Sequence, residues 1–309
     1  MLRFIPTPLG NLKDITLRSL EHLATAQVVL CEDTRVAKSL LKNLFERFER
    51  DSSLLGAIFC GALDSSDFTP TLNPATKRFI SLHSHNQKDF ISALTADFFS
   101  QEVVYISDAG MPSICDPGAL LIQYMQKHNL PYDVLVGGCA LSVAFCFSGF
   151  AFQGFVFGGF LPHKPKERAH KLQECANATT PTIWYESPHR ILDTLNDIAR
   201  ILPSTRVFAI KEISKIYQRH FLGSADEILS MLSENTSKQK STKNDDKILQ
   251  GEWVVILEPS QNPSEYLRLS KEDIIALEIP PKIKAKMLSN LTGKDTKEIY
   301  SNLVKITKS

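Results

Sequence analysis

The chain has 309 residues, of which 43% are apolar and 22% are charged, and its formal net charge is +1. This composition is typical of a globular protein, and it excludes a disordered chain and a strongly basic nucleic-acid-binding protein. The length favours two domains with room for a small additional module.

The N-terminal residues and the cysteines indicate the compartment. Pro6 and Pro8 interrupt the first apolar residues too early for the core of a signal peptide. The six cysteines form no C-x-x-C pair and no regular spacing, which indicates free thiols in a reducing compartment and no zinc site. We therefore expect a cytoplasmic protein.

Short apolar segments alternate with helical patterns from the N-terminus onwards. Residues 15–26 present one apolar helix face, and Asp14 is the predicted N-cap. The predicted strands are residues 2–6, 28–31, 79–82, 103–107 and 134–136. Alternation of strands and helices is typical of βαβ units, so it predicts a parallel sheet in an N-terminal α/β domain over residues 1–150.

The segment 134–162 has two interpretations. It contains no Asp, Glu, Lys, Arg or His, and it is long enough to span a membrane. It also contains six glycines, which favour a strand, a glycine turn, a helix and a second strand, because buried parallel strands are continuously apolar. We favour the second interpretation and predict no membrane association.

A second α/β domain is predicted over residues 151–260. Its predicted strands are residues 155–160, 182–185, 207–210 and 252–257, and residues 191–201 are predicted to be helical. The polar segments 51–76 and 233–250 are interpreted as loop insertions.

Residues 261–309 are predicted to form a small basic helical tail, with helices at 282–291 and 296–305. Residues 280–309 contain seven lysines against two acidic residues. This tail could contact RNA phosphate, although a solvated helical surface explains the lysines equally well.

Turn-forming and polar residues follow the predicted strands of the N-terminal domain. The clusters are residues 7–11 (TPLGN), 32–35 (EDTR), 83–86 (HSHN), 107–112 (SDAGMP) and 136–140 (VGGCA). Ligands of open α/β sheets bind beyond the carboxyl ends of the strands, so these clusters predict one functional rim. The usual glycine-rich fingerprints of dinucleotide and nucleoside-triphosphate sites are absent.

The fourth of these clusters is the densest, and it continues to Gly118. Gly110 and Gly118 permit close approach of the backbone to a ligand, and Pro112 fixes the loop before a ligand arrives. Asp108 and Asp116 suit a ligand amine or ribose hydroxyls, but they could also cap turns or the next helix.

Residues 185–190 (YESPHR) follow a strand of the second domain. Ser187 is predicted to cap the following helix, so that Glu186, His189 and Arg190 face the space above the strand end. A salt-bridged helix start is the alternative interpretation.

His83 and His85 alternate at another strand end and could suggest a metal. No third ligand is obvious, so polar or hydrogen-bonding residues are the favoured interpretation and no metal is predicted.

Together these motifs resemble those of the tetrapyrrole-methylase superfamily, and several of them resemble its RNA-methylating branch. The matching segments are residues 7–18, 32–35, 83–86, 107–118, 159–162, 185–190, 211–212, 251–252, 282–288 and 291–300. The resemblance implies a two-lobed α/β fold, with an N-terminal parallel-sheet domain, a C-terminal mixed-sheet domain and a small helical tail.

The resemblance also implies an activity. S-adenosylmethionine would lie folded in the cleft between the lobes of a homodimer, and the product would be a 2′-O-methylated cytidine in 16S rRNA, at the decoding centre of the 30S subunit. The cofactor contacts carried over from the family are Pro8, Gly10, Ser107, Asp108, Ala109, Gly110, Pro112, Gly137 and Ala140.

The loop 136–140 departs from the family pattern, which usually reads PGPSA. Gly137 and Ala140 are kept, whereas both prolines and the serine are lost, so backbone contacts to the cofactor could survive but a serine hydroxyl contact could not. Two alternatives therefore stay open beside rRNA methylation: a small-molecule methyltransferase acting on a tetrapyrrole, and a non-catalytic ribosome-binding factor.

Methyl transfer to a ribose hydroxyl requires alignment of the reactants and a base that accepts the hydroxyl proton. The candidate bases are Glu32, Asp33, His85 and Glu186, and the sequence does not choose among them. The predicted substrate-binding residues are Arg35, His189, Arg190 and Lys211, of which Arg35, Arg190 and Lys211 are expected to hold RNA phosphate.

Overall fold

The structure, a computed structural model, describes residues 1–49, 71–238, 249–259 and 271–306. The chain divides into two compact units, Met1–Ser260 and Gln261–Ser309. Most of the predicted insertion at 51–76 lies outside the described residues, as do residues 239–248 of the second predicted insertion.

The larger unit contains a parallel sheet built from the N-terminal half of the chain. Its strands are β1 (Leu2–Ile5), β2 (Val28–Cys31), β3 (Arg78–Ser81), β4 (Val103–Ile106) and β5 (Tyr132–Val134). They pair in the order β3-β2-β4-β1-β5. Strands β2 and β4 are buried at every residue, which explains their continuous apolar sequence. The edge strand β5 begins earlier than predicted, because its half-buried Tyr132 and Asp133 give no apolar pattern.

Helices pack on both faces of this sheet and bury its side chains in two clusters. The helices are α1 (Leu17–Thr25), α2 (Thr34–Leu44), α3 (Gln87–Ser92) and α4 (Ala119–Lys127). Shorter helical segments are Leu12–Asp14, Phe45–Glu49, Pro74–Thr76 and Ala96–Ser100. Helices therefore cover both faces of the sheet, and the loops that follow the strands form its rim.

The start of α1 differs from the prediction. Thr16 is the N-cap, and its Oγ1 accepts a hydrogen bond from the backbone N–H of Ser19 at 3.0 Å. Asp14 lies instead in the preceding 3-10 segment, and Ile15 is extended with ψ of 139°, so the α-helix cannot begin before it.

A second sheet follows in the same unit. Its strands are β6 (Val156–Phe160), β7 (Thr182–Glu186), β8 (Val207–Lys211), β9 (Arg219–Gly223) and β10 (Trp253–Leu257). They pair in the order β6-β7-β10-β8-β9. Within the described strands of this second sheet, only the β6–β7 pairing is parallel, so the sheet is mixed. This arrangement confirms the predicted fold class. Strand β9 was not predicted, because it buries only Phe221 and carries no apolar alternation.

Four helices accompany the second sheet in the described residues: α5 (Ala140–Ser148), α6 (Pro165–Ala176), α7 (Ile191–Ile201) and α8 (Ala225–Lys238). The cap prediction for α7 was wrong, because a turn intervenes and Arg190, not Ser187, is the N-cap. Helix α8 runs to Lys238, so the first residues of the predicted 233–250 insertion are helical.

The segment 134–162 folds as a strand end, a glycine-containing loop, α5 and β6. In the part of the chain that the structure describes, no helix is long and apolar enough to cross a membrane. Helix α5 packs on the second sheet through Ala144, beside Ile183 and Phe208. This packing favours a lobe boundary near Gly137 and Gly138, while the predicted boundary at residue 150 remains a prediction.

The smaller unit contains α9 (Lys271–Ala276), α10 (Pro281–Thr292) and α11 (Thr296–Ile306). Its core is Ile274, Ala285, Leu288 and Leu303. Gly293 ends α10 in the left-handed region, with φ of 69°, where a residue without a side chain is favoured. Both helices predicted for the tail are therefore present.

Candidate active site

The carboxyl ends of β1 and β4 are joined across the rim of the first sheet. Thr7 and Gly110 form an antiparallel bridge with reciprocal backbone hydrogen bonds of 3.0 and 3.1 Å. The Thr7 hydroxyl donates to the carbonyl oxygen of Ser107 at 3.2 Å, and the Ser107 hydroxyl donates to the carbonyl oxygen of Gly110 at 2.8 Å. Ser107 therefore positions the loop that carries Asp108 and Ala109.

A cleft of about 390 Å³ lies between this rim and residues of the second sheet. Its volume is in the range of small-molecule sites, about 300–1,000 Å³. The predicted site residues that line it are Glu32, Asp108, Ala109, Gly110, Ala140 and Glu186. The structure therefore brings together parts of clusters that are far apart in the sequence.

A second cavity of about 340 Å³ lies on the other side of Leu9, which lines both cavities. Pro8 lines this second cavity together with Gly138, Ile213 and Ser214. The predicted cofactor residues that line a cavity are thus divided between two neighbouring cavities.

Two of the predicted glycines lie in tight packing contacts outside these cavities. A Cβ at Gly10 would be 2.3 Å from Lys215 Cγ, and a Cβ at Gly137 would be 2.4 Å from Pro6 Cβ. Pro112 is buried beneath the loop and lines neither cavity. The absence of a side chain at Gly10 and Gly137 is therefore explained by packing alone, and their cofactor contacts stay predictions.

Three carboxylates line the first-sheet side of the cleft. Burial, with the charges of Asp116 and Asp108, raises the pKa of Glu32 to about 7. Burial, with the charges of Asp108 and Glu252, raises the pKa of Asp116 to about 6, and burial also raises the pKa of Asp108. A carboxylate that titrates near neutral pH is suited to accept a proton in a reaction. Among the described residues, no three His, Cys, Asp or Glu side chains are arranged to hold a metal ion.

Asp116→Asn is expected to stabilise the folded chain at high pH. The pKa of Asp116 in the folded state, about 6, lies above its ordinary value of 3.8. The native state therefore binds this proton more tightly than the unfolded state does. Protonation of Asp116 stabilises the native state below about pH 4, and this stabilisation is lost as the pH rises through about 6. Urea unfolding should show a variant more stable than wild type at about pH 8 but equal to it at about pH 4. Equal stability at both pH values would contradict the burial of this carboxylate.

Asp33 and Arg35 lie beside the cleft without lining it. Asp33 caps α2, accepting hydrogen bonds from the backbone N–H of Arg35 at 2.8 Å and from its Nη2 at 2.7 Å. The side-chain and backbone hydrogen bonds from Arg35 lower the pKa of Asp33 to about 2. Such a carboxylate is a weak base, so Asp33 is less suited than Glu32 to accept a hydroxyl proton, while the exposed Arg35 can still reach phosphate.

Glu186 is committed to hydrogen bonds within its own lobe. Its Oε2 accepts from Arg190 Nη2 at 2.8 Å and from Thr194 Oγ1 at 2.7 Å, and its Oε1 accepts from the backbone N–H of Ser187 at 2.7 Å. The side chains of Glu186 and Arg190 are 0% and 14% exposed. Arg190 also donates to the Leu161 carbonyl oxygen at 2.6 Å. The alternative interpretation, a salt-bridged helix start, therefore describes this motif better than a base and a phosphate ligand.

The remaining predicted residues lie outside the cleft lining. Lys211 is 1% exposed, and its Nζ lies 5.6 Å from the centre of the Trp253 ring. Burial lowers the pKa of Lys211, so its predicted contact with phosphate is incompatible with its position. His85 and His189 are exposed, and the rings of His83 and His85 are 6.0 Å apart.

Several residues that line the cleft were not predicted as site residues. They include Cys115, Tyr185, Glu252 and Trp253. Tyr185 and Glu252 belong to motifs that the sequence did single out, so the available signal was their position at the end of β7 and the start of β10. Trp253 carries no such signal, because an apolar residue in a predicted strand is ordinarily a core residue.

Cys139 occupies the altered position of the loop 136–140. It is the N-cap of α5, has extended backbone with φ of −133° and ψ of 123°, and makes no side-chain capping bond. Cys139→Ser is therefore expected to raise the free energy of unfolding by about 1 kcal/mol. A serine hydroxyl at the N-cap accepts a hydrogen bond from a backbone N–H in the first turn of the helix, and the thiol makes no such bond. Urea unfolding measures this gain. Cys146→Ser, on the exposed face of the same helix, is the control and should gain nothing; equal effects would contradict the capping argument.

Comparison with known proteins agrees with this geometry. Residues 1–229 match the model of the family described as Tetrapyrrole (Corrin/Porphyrin) Methylases. The protein named ribosomal RNA small subunit methyltransferase I from Helicobacter pylori strain J99 is 42% identical over 97% of this chain and 96% of its own length. The protein of that name from Campylobacter fetus is 39% identical over 98% of this chain and 100% of its own.

Solved structures show the same fold. A cobalt precorrin-4 methyltransferase of cobalamin biosynthesis aligns with a TM-score of 0.50 and 12% identity, over 82% of this chain and 93% of its own. The methyltransferase CobJ aligns with a TM-score of 0.50 and 12% identity, over 85% and 97%. The family match over most of the chain and the full-length relatives confirm the resemblance read from the motifs: the chain belongs to the tetrapyrrole methylase family.

Proposed function

We propose that this chain is an S-adenosylmethionine-dependent methyltransferase that methylates the 2′-hydroxyl of a cytidine in 16S rRNA of the small ribosomal subunit. The observation that carries the proposal is the cleft itself, where Glu32, with a pKa near 7, faces a space closed by the second sheet. The full-length relatives carry a ribosomal RNA small subunit methyltransferase name, which supports RNA as the substrate over a tetrapyrrole.

The residues of the cleft fit S-adenosylmethionine. The carboxylates of Asp108 and Asp116 favour a ligand that carries positive charge and hydroxyl groups. Gly110 lines the cleft, and its φ of 76° together with a Cβ position 2.7 Å from Leu9 Cδ2 favours a residue without a side chain there. When bound, the cofactor supplies an activated methyl group on a sulfonium. Asp108, Ala109, Gly110 and Ala140 would hold it, with Pro8 at the neighbouring cavity.

The chain's own residues supply alignment and proton transfer. Glu32 accepts the proton of the ribose hydroxyl, because it is the candidate base that both lines the cleft and titrates near neutral pH. The buried Glu186–Arg190 pair fixes the loop after β7, which closes the opposite wall. Within this proposal, Glu32 is the base among the four candidates, and Glu186 has a positioning role.

A homodimer and a cytoplasmic location belong to the same proposal. Phe147, Phe155 and Val156, around α5 and β6, are exposed by 37% or more. Exposed apolar patches of this kind mark interaction surfaces, and a second copy of the chain would cover them.

The helical tail is proposed as an additional contact with the RNA backbone. Lys282 and Lys297 line a groove of about 390 Å³ together with Thr296, Tyr300 and Ser301. Cations beside hydroxyl groups suit phosphate oxygens. Deleting residues 270–309 should weaken binding of 30S subunits and reduce its dependence on salt.

Two assays separate this function from its alternatives. Calorimetry with S-adenosylmethionine should detect binding, and absence of binding would favour a non-catalytic ribosome-binding factor. Radioactive methyl transfer should label 30S subunits and not porphyrin precursors. Labelling of the porphyrin instead would indicate the small-molecule methyltransferase.

A further inference from the structure

The loop 212–218 joins β8 to β9, and hydrogen bonds hold it in a strained conformation. Glu212 and Ser214 have φ of 52° and 65°, in the left-handed region that side-chain-bearing residues seldom adopt. Backbone N–H groups of Lys215 and Gln218 donate to the carbonyl oxygens of Glu212 and Lys215 at 3.0 and 3.1 Å, and the Ser214 N–H donates to Gln218 Oε1 at 2.6 Å. The loop is therefore preformed.

Contacts from both lobes fix this loop beside the cleft. The Ser214 hydroxyl donates to the carboxylate of Asp14, and Lys215 packs against Gly10. The Lys215 ammonium lies 2.8 Å from Glu212 Oε1 and 3.7 Å from Oε2 of Glu252, which lines the cleft. The loop therefore lies beside Glu252 at the edge of the cleft.

The tip of the loop exposes apolar and aromatic side chains to solvent. Ile216 is 95% exposed and Tyr217 is 56% exposed. Arg219, at the start of β9, is also exposed, as is Lys13 next to Asp14. An isoleucine side chain exposed to water contributes almost nothing to the stability of the fold. The chain nevertheless holds this loop in place with several hydrogen bonds.

We propose that Ile216 and Tyr217 form a stacking platform for a nucleobase next to the target nucleotide, with Arg219 contacting the adjacent phosphate. The inference rests on the proposed function, because it takes RNA as the molecule in the cleft. Single-stranded RNA is recognised by stacking of unpaired bases on aromatic and apolar side chains beside cations. A preformed platform lowers the cost of ordering the flanking nucleotide.

The size of the patch favours a base over a second copy of the chain. A stable dimer buries about 800 Å² per partner, whereas two side chains at a loop tip present an area that one base covers. The exposed cations Arg219 and Lys13 also suit a polyanion.

The test compares full-length variants in steady-state methylation of 30S subunits and in fluorescence anisotropy with a single-stranded oligoribonucleotide. The double variant Ile216→Ala, Tyr217→Ala should raise KM for 30S subunits and Kd for the oligonucleotide about tenfold, the loss of one base stack. Its calorimetric affinity for S-adenosylmethionine and its melting temperature should stay at the wild-type values. Tyr217→Phe keeps the ring and should retain wild-type KM.

Leu17→Ala is the matched control, since Leu17 is 63% exposed on α1, and it should leave both constants unchanged. Wild-type KM and Kd in the double variant would overturn the platform while leaving the proposed function standing. A shift of the double variant from dimer to monomer in sedimentation, without a change in RNA binding, would also overturn it. A third outcome is that the wild-type protein labels no 30S subunits but binds the oligonucleotide more tightly than the double variant does. That outcome would support the platform and contradict the proposed function.

Discussion

Glu32→Gln is expected to lower kcat by about 100-fold or more at about pH 8, which is the usual contribution of a general base. The change removes the proton acceptor but keeps the size of the side chain, so the affinity for S-adenosylmethionine should fall little. In the wild type, kcat should rise with pH through about 7, because only the ionised carboxylate accepts a proton and burial has raised the pKa of Glu32 to about 7. Methyl transfer to 30S subunits across this pH range measures both effects.

The control for this prediction is Asp33→Asn, one residue further along the chain. Asparagine also caps helices, so α2 should remain intact, and kcat should stay close to the wild-type value. A fully active Glu32→Gln variant, or a pH profile that rises in the variant as it does in the wild type, would remove Glu32 as the base.

Glu186→Ala is expected to lower the free energy of unfolding by about 3 kcal/mol, because it leaves the half-buried Arg190 without its fully buried carboxylate partner. The loss should appear as a shift of the urea midpoint with little change in slope. The pair matters for function only because it fixes the loop after β7, so the folded variant should retain measurable methyl transfer in the cold.

Glu174→Ala provides the comparison, since Glu174 pairs with Lys171 at 2.6 Å while 49% exposed. An exposed pair contributes about 0–1 kcal/mol, so this variant should unfold near the wild-type midpoint. If both variants unfold alike, the Glu186 carboxylate is not the buried partner described above.

The sequence predicted the rim well because one topological rule governs it. Parallel strands β1, β2 and β4 point their carboxyl ends the same way, so the polar residues that follow them converge whatever their distance in the chain. This rule placed the clusters that contain Glu32, Asp108 and Gly110 on one rim, and the family resemblance then gave these residues their roles.

Residue roles that depend on burial could not be predicted. Arg190 and Lys211 look like phosphate ligands in a sequence, but Arg190 pairs with Glu186 and Lys211, at the end of β8, is only 1% exposed. Gly10 was assigned to the cofactor through the family motif, whereas its lack of a side chain is set by Lys215, which lies far away in the chain. Such long-range contacts leave no local pattern.

The sequence identifies residues of the types that cap helices, but it does not always identify the residue at which each helix begins. Asp14 and Ser187 are good capping residues, yet the 3-10 segment before α1 and the turn before α7 move each helix start along the chain. Local propensity ranks the candidates, and the tertiary path of the backbone selects among them.

The most direct test is to incubate the protein with S-adenosylmethionine and unmodified 30S subunits and then map methylated nucleosides in the 16S rRNA. We expect a single new 2′-O-methylcytidine, formed by the wild type and lost in Glu32→Gln. A methyl group on a base, or no modification by a protein that binds the cofactor, would contradict it.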